Sequence, residues 1–333
     1  MKDKFKGKKV CFVGDSITHW GFYVYNLRAY FKGKADEGVA CFNRGIGGNK
    51  MCMVEYLLDY EALSMKPDYV FLCYGGNDVG SWLYNYKVEE TEEILKERER
   101  RLNEYGECLE NAIVRLKENK VEPILMTPPC FNPCYKGIKN TVLEFDNDEK
   151  YKTFNVDIYS PETYKNINKG LNRFAQKVRD SAKKHGLDCI DIFSLMYAEA
   201  QKTLNMYKED GVHFAEQGYD WITRVLLEYF GCGKVEQTFE KDLENDAIFQ
   251  IEQIERSVCH FEYGGFNEYF GKRTPEEKRN YLHEVIVDAN EQPHRIKNAK
   301  LYLEYYDELP AIKQKIEKMT YDYLYGREID SNK

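Results

Sequence analysis

The sequence predicts an α/β protein with a parallel five-stranded sheet, followed by an all-helical C-terminal region. Five short apolar runs alternate with segments of helical pattern through the first 230 residues. The runs are apolar throughout rather than at every second position, which is typical of strands buried on both faces of a sheet. After residue 231 strand-like runs disappear, and helical patterns continue toward the end of the chain.

The predicted strands are rich in Val, Ile, Phe, Tyr and Cys, and they occupy 8–14, 38–43, 68–75, 121–127 and 187–193. The candidate helices occupy 20–32, 51–64, 88–119, 166–185 and 215–230. Because strands alternate with helices, consecutive strands should run parallel, with helices covering both faces of the sheet.

The long helical segment 88–120 divides into two halves. Its first half is almost entirely charged, and we expect a solvated extension there. Its second half carries an apolar stripe that should pack against the sheet; the stripe comprises Leu102, Cys108, Leu109, Ala112, Ile113 and Leu116. In the C-terminal region, Thr274, Pro275 and Glu277 form a helix-capping box, and another helix should begin at Pro310.

Composition excludes several classes of protein. The chain has 333 residues, 43% of them hydrophobic, and a formal net charge of -8, most of which falls in 231–333. Nucleic-acid binding needs clustered Lys and Arg, so we expect no nucleic-acid partner. The sequence contains neither an apolar run long enough to span a membrane nor a secretory pattern, which favours a cytoplasmic protein without a membrane partner.

Ten scattered cysteines fit a reducing compartment. Cys130 and Cys134 have no second Cys or His pair nearby, so we expect no metal site.

Four of the predicted strands end in residues that do not suit a core. The first ends at Gly14-Asp15-Ser16, the second at "NRGIGGN" (43–49), the third at "GGND" (75–78) and the fourth at "TPP" (127–129). In an open parallel sheet, ligands bind at the carboxyl ends of the strands. We therefore expect Ser16, the glycines near residue 48 and Asn77 to share one crevice.

These residue types suit acyl transfer. A serine hydroxyl is a weak nucleophile that needs a base, and the oxyanion that forms needs amide donors. Glycine lets a backbone N–H approach the substrate closely. The segment "EDGVHFAEQGY" (209–219) offers the missing base and its orienting carboxylate, because Asp210 stands three residues before His213 in front of a predicted helix.

Four separated blocks in this order resemble the SGNH/GDSL hydrolase family. They are "GDSIT" (14–18), "NRGIGGN" (43–49), "GGND" (75–78) and "DGVHF" (210–214). The resemblance implies that Ser16 is the nucleophile, His213 the general base and Asp210 the residue that orients it. It implies an oxyanion hole formed by the backbone N–H groups of Ser16 and Gly48 and the side chain of Asn77. It also implies a flavodoxin-like three-layer α/β/α sandwich.

On this basis we expect a hydrolase domain at 1–232 and a helical extension at 233–333. The expected activity is that of a serine esterase without a metal or organic cofactor. It would hydrolyse a small acyl ester, with a carbohydrate-linked acetyl ester as the expected substrate, through an acyl-enzyme on Ser16. The segment 130–165 supplies Phe131, Tyr135, Tyr151, Phe154 and Tyr159 as candidate platforms for a sugar.

Other functions stay open. A lysophospholipase, a thioesterase or an acyltransferase of the same family would use the same residues. A non-catalytic binding or scaffold module, with the acidic tail as its interaction element, belongs to a different class. The tail could also form a homo-oligomer contact or a wall of the pocket. His19 does not have the spacing of the base, and His260 is expected to be solvated.

Overall fold

The protein is described by a computed structural model, and the described residues are 2–136, 160–203, 205–236, 238–239, 242–263, 273–288, 291 and 293–327. The strands are β1 (Lys8–Gly14), β2 (Val39–Asn43), β3 (Tyr69–Cys73), β4 (Glu122–Met126) and β5 (Cys189–Ile190). They form one parallel sheet in the order β2-β1-β3-β4-β5. This is the flavodoxin-like strand order, so the predicted fold class is confirmed.

Helices flank the sheet. In the first 232 residues they are α1 (Ser16–His19), α2 (Phe22–Phe31), α3 (Met51–Glu61), α4 (Glu92–Glu118), α5 (Pro161–His185), α6 (Ile192–Glu199) and α7 (Glu216–Tyr229). In the C-terminal region they are α8 (Ala247–Tyr263), α9 (Pro275–Val287), α10 (Pro293–Tyr305) and α11 (Leu309–Leu324). The prediction that this region is helical is confirmed.

The last strand is shorter than the apolar run predicts. That run extends over 187–193, but only Cys189–Ile190 pair, with Leu125↔Cys189 and Met126↔Ile190 in parallel register. The chain turns at Asp191 because its carboxylate accepts a hydrogen bond from the Ser194 backbone N–H and so caps α6. A polar cap thus converts the second half of the run into a helix.

By its internal contacts the chain forms two compact units. The first consists of 1–49, 59–70 and 223–333, and the second of 50–58 and 71–222. In the first unit β1 pairs with β2 from Lys8↔Val39 to Phe12↔Asn43. The first unit has an aromatic core in which Phe5 lies 4.9 Å from Phe230, centroid to centroid. All four C-terminal helices belong to this unit. The domain boundary at residue 232 stays a prediction.

The second unit is built around β4, α4 and α5. The apolar stripe of α4 faces its interior, where Leu102, Leu109 and Ile113 are buried. The ring of Tyr105 lies 5.1 Å from that of Phe174, and its hydroxyl donates to the carbonyl of Tyr74 at 3.1 Å. The charged first half of the segment 88–120 is also helical, from Glu92 onward, and it carries exposed ion pairs within the helix.

Two features of the C-terminal region follow directly from sequence. Thr274 and Glu277 form the predicted capping box at the start of α9. Pro310 occupies the first turn of α11, as expected of a residue that lacks a backbone N–H. Among the described residues, none of the helices is both long and apolar enough to cross a lipid bilayer.

Candidate active site

Ser16 begins a single helical turn directly after β1. Strand β1 is buried from Val10 onward and ends at Gly14. The carboxylate of Asp15 caps the turn, because its Oδ1 accepts a hydrogen bond from the Ile17 backbone N–H at 3.0 Å. One residue later Ser16 is half-buried at the N-terminal end of α1. A sharp capped turn thus places a serine hydroxyl at the carboxyl end of a central strand.

The glycine block, residues 43–49, runs beside this turn in the same unit. The backbone N–H of Ile46 donates to the carbonyl of Gly14 at 2.9 Å. A Cβ at Gly45 would lie 2.3 Å from the backbone nitrogen of His19, so a larger residue cannot be accommodated there. Gly48 has φ of +74°, which also favours glycine. The block is therefore held close to the segment that carries Ser16.

Asn77 lies in the second unit, in the turn that follows β3. It is half-buried, whereas its neighbour Asp78 is buried. Oδ1 of Asp78 accepts a hydrogen bond from the backbone N–H of Met51 at 2.8 Å. Asp78 thereby ties the turn to the start of α3, and Asn77 is carried on this anchored turn.

Asp210 and His213 are brought together, as their spacing predicts. Nδ1 of His213 lies 2.7 Å from Oδ2 of Asp210. The other carboxylate oxygen accepts hydrogen bonds from the backbone N–H groups of Val212 and His213, both at 2.9 Å. Because a carboxylate only accepts, Nδ1 of the neutral ring carries the proton and Nε2 becomes its basic nitrogen.

The same contacts determine the charge of Asp210. Burial alone would raise the pKa of this carboxyl, but the hydrogen bond and charge of His213 oppose it, as do the two backbone N–H groups. The net effect lowers the pKa of Asp210 below its ordinary value. The residue is therefore a carboxylate at neutral pH, as the orienting partner of a histidine must be.

Residues that sequence reasoning missed hold the loop of Asp210 in place. The hydroxyl of Tyr164 donates to the carbonyl of Asp210 in a short hydrogen bond. The amide of Asn168 bonds both the N–H and the carbonyl of Phe131, each at 2.9 Å. The next residue, Asn132, donates its N–H to the carbonyl of Gly211 at 2.8 Å. Segment 130–136 and α5 thus form a support for this loop.

This support changes the interpretation of the candidate sugar platforms. Phe131 and Tyr135 are buried, and the ring of Tyr135 lies 4.3 Å from that of Tyr164. They pack beneath the Asp210 loop instead of offering an exposed aromatic face. The other three candidates, Tyr151, Phe154 and Tyr159, lie outside the described residues.

The predicted site residues divide between the two units. Ser16 and Gly48 belong to the first, and Asn77, Asp210 and His213 belong to the second. Their common crevice stays a prediction. Within the described ranges, no three His, Cys, Asp or Glu side chains are grouped so that they could hold a metal ion.

One relative of known activity is similar to part of the chain. An acetylxylan esterase of Geobacillus stearothermophilus is 28% identical over 141 residues, which are 37% of this chain and 60% of that enzyme. The chain thus matches less than two thirds of the length of this relative.

Two solved structures share the fold. A gut microbial diltiazem-metabolizing enzyme superposes with a TM-score of 0.70 at 13% identity, covering 96% of this chain and 95% of its own. That likeness therefore includes the C-terminal helices. An α/β hydrolase enzyme from the metagenome of Lake Arreo, Spain, superposes with a TM-score of 0.51 at 20% identity, covering 69% of this chain and 98% of its own.

The family assignment rests on a separate match over residues 12–221, which contain all five candidate site residues. Because that match covers more than half of the sequence, the chain belongs to the GDSL-like lipase/acylhydrolase family.

Proposed function

We propose that the protein is a serine esterase that hydrolyses a small acyl ester through a covalent intermediate on Ser16. The observation that carries this proposal is the contact between Asp210 and His213, at 2.7 Å through Nδ1. It fixes the tautomer in which Nε2 can accept a proton. Family membership supports Ser16 as the nucleophile, since this residue stands in the "GDSIT" block (14–18) within the matched residues.

In the proposed first step, Oγ of Ser16 attacks the ester carbonyl carbon while Nε2 of His213 takes the hydroxyl proton. Asp210 stabilises the imidazolium that forms. The tetrahedral intermediate then collapses: the bond to the alcohol oxygen breaks, and His213 returns the proton to that oxygen. Water repeats the sequence on the acyl-enzyme, which releases the carboxylic acid and restores the serine.

The oxyanion of each tetrahedral intermediate needs donors that are already in position. We assign this role to the backbone N–H groups of Ser16 and Gly48 and to the side-chain amide of Asn77. The capped turn after β1 supports the first assignment, and the left-handed φ of Gly48 supports the second. For Asn77, the support is the anchoring of its turn by Asp78.

An acetyl group on a carbohydrate is the substrate class we favour. This inference rests on similarity to an acetylxylan esterase, which is 28% identical over the matched part. The proposed binding partner is this small-molecule ester.

The ten cysteines are all free thiols, which suits a reducing compartment.

The substrate class can be tested with p-nitrophenyl esters from acetate to octanoate. We expect kcat/KM to be highest for acetate and to fall as the acyl chain lengthens. Acetylated xylo-oligosaccharides should release acetate, measured by coupled assay. A rate that rises steadily with chain length would indicate a lipase-like enzyme instead. No turnover of any ester would favour the binding-module alternative.

The role of Asn77 predicts a specific loss of turnover. Asn77→Ala should lower kcat for p-nitrophenyl acetate by a factor on the order of 10²–10³, because one oxyanion donor is lost. KM should change little, since this donor forms a weaker hydrogen bond with the carbonyl of the bound substrate than with the oxyanion of the transition state. Asn85→Ala, which removes a buried asparagine elsewhere in the second unit, serves as a control for folding effects. Near-wild-type kcat in Asn77→Ala would remove this residue from the oxyanion hole.

A further inference from the structure

One face of helix α8 is lined with charged and polar side chains that are buried. Glu252, Glu255 and Arg256 are each 0% exposed, although ionised residues are rarely buried without a partner. With His260 they follow the spacing i, i+3, i+4 and i+8, which places them on one side of a helix. Each of the four contacts the glycine block (43–49), which carries Gly48, while Arg28 and Glu61 complete the buried ion pairs.

The first contact is made by Glu252. Its Oε1 accepts a hydrogen bond from the backbone N–H of Asn43 at 3.2 Å. Both of its oxygens also accept from the guanidinium of Arg28, each at 2.9 Å. The side-chain oxygen of Asn43 accepts a hydrogen bond from the backbone N–H of Gly45 at 3.0 Å. Glu252 therefore helps to fix the position of Gly45 through Asn43.

The second contact is made by Glu255. Both of its oxygens accept from Nη1 of Arg44, at 2.9 and 2.8 Å. Arg44 is 1% exposed, and its Nε also donates to the carbonyl of Glu61 at 2.8 Å. The charge of Arg44 is therefore balanced by two buried carboxylates, Glu255 of α8 and Glu61, whose Oε2 lies 3.0 Å from Nη2.

The third and fourth contacts reach the glycines themselves. Nη1 of Arg256 lies 3.5 Å from the carbonyl oxygen of Gly45 and 2.5 Å from Oε2 of Glu61. A Cβ at Gly47 would lie 3.3 Å from the ring of His260, so this imidazole covers the backbone of Gly47. The contacts therefore follow the same order along both segments: residues farther along α8 contact residues farther along the glycine block.

We infer that α8 is a positioning element for the oxyanion hole: Arg256, with Glu255 and His260, holds the glycine block in the geometry from which Gly48 donates its N–H. This inference rests on the proposed function. Arg256, Glu255 and His260 are positioning residues, because they contact the loop and not the reacting atoms. Through these three residues, helix α8 supports the oxyanion hole, which is a different role from that of an independent docking module.

Arg256→Lys tests the inference while retaining the buried positive charge. Nη2 of Arg256 also lies 3.1 Å from Oε1 of Glu255. A single ammonium group cannot serve Glu61, Glu255 and the Gly45 carbonyl together, as the planar guanidinium does. Lys278→Met is the matched control, because Lys278 forms a largely buried ion pair at 2.6 Å with Glu262, which lies in α8 beyond the residues that contact the glycine block. Both variants are compared in the full chain by kinetics on p-nitrophenyl acetate, thermal unfolding and hydrogen exchange of peptides that span 43–49.

We expect Arg256→Lys to lower kcat by a factor of about 10 to 10², the range in which small misplacements of a catalytic group are felt. KM should stay within about twofold, because the donor acts mainly in the transition state. Amide exchange in 43–49 should become faster in Arg256→Lys alone. Lys278→Met should keep wild-type kcat and wild-type exchange in this segment.

Several outcomes would overturn the inference. Wild-type kcat in a folded Arg256→Lys would do so, as would equal losses of kcat in both variants. If Arg256→Lys does not fold, His260→Ala decides: a lower kcat with faster exchange in 43–49 supports the inference, and unchanged values refute it. A wild-type protein without Ser16-dependent turnover would refute the proposed function instead, and the exchange experiment would still show whether α8 holds the glycine block.

Discussion

Ser16→Ala should abolish ester hydrolysis while leaving the fold intact. The nucleophilic oxygen forms the covalent bond of the acyl-enzyme, and the methyl group of alanine cannot replace it. In serine hydrolases the loss of the nucleophile alone costs a factor on the order of 10⁶ in kcat. The turn itself should persist, because its cap is the carboxylate of Asp15 and not the serine hydroxyl. The measurement is the initial rate on p-nitrophenyl acetate, with the thermal unfolding midpoint recorded for each variant.

A second serine supplies the control. Ser194 lies in the first turn of α6, after β5 and the capping carboxylate of Asp191, and it is exposed. Ser194→Ala should keep wild-type turnover. If Ser16→Ala also keeps it, hydrolysis uses another group, and the assignment of Ser16 is wrong.

Asp210→Asn should produce the next largest loss, on the order of 10⁴ in kcat. The amide oxygen can still accept from the N–H groups of Val212 and His213, so the loop should keep its shape. Toward Nδ1 of His213, however, the amide presents N–H donors instead of a carboxylate oxygen. The ring then loses the acceptor that fixes its tautomer and stabilises its charged form. KM should change much less than kcat.

Glu209→Gln is the control that separates the loss of a negative charge in this loop from the loss of the contact between Asp210 and His213. Glu209 is exposed and adjacent in sequence, so this variant removes one negative charge from the same loop. Its turnover should match that of wild type. A loss in Asp210→Asn no greater than that in Glu209→Gln would mean that Asp210 does not orient the base.

The parallel sheet was predictable because its strands are buried on both faces and therefore read as continuous apolar runs. The contact between Asp210 and His213 was predictable because three residues can be bridged by one tight turn. The prediction of a strand over the whole run 187–193 was wrong in its second half, because the cap at Asp191 starts a helix within the apolar segment. Periodicity cannot separate a buried strand from a buried helix over so few residues.

The role of α8 was not predictable from local patterns, because its partners lie about 200 positions earlier in the chain. His260 was expected in solvent, yet it is half-buried against Gly47. One signal was present in the sequence: Glu252, Glu255 and Arg256 fall on the same helical stripe as Cys259, which is buried. Charges on an apolar stripe indicate buried ion pairs, although they do not identify the partner.

We propose that Ser16 is a nucleophile activated by His213. The most direct measurement is labelling of the intact protein with diisopropyl fluorophosphate, followed by mass spectrometry of its peptides. We expect one phosphoryl adduct per chain, on the peptide that contains Ser16, and much slower labelling in His213→Ala. An adduct on another residue, or labelling at an equal rate in His213→Ala, would contradict it.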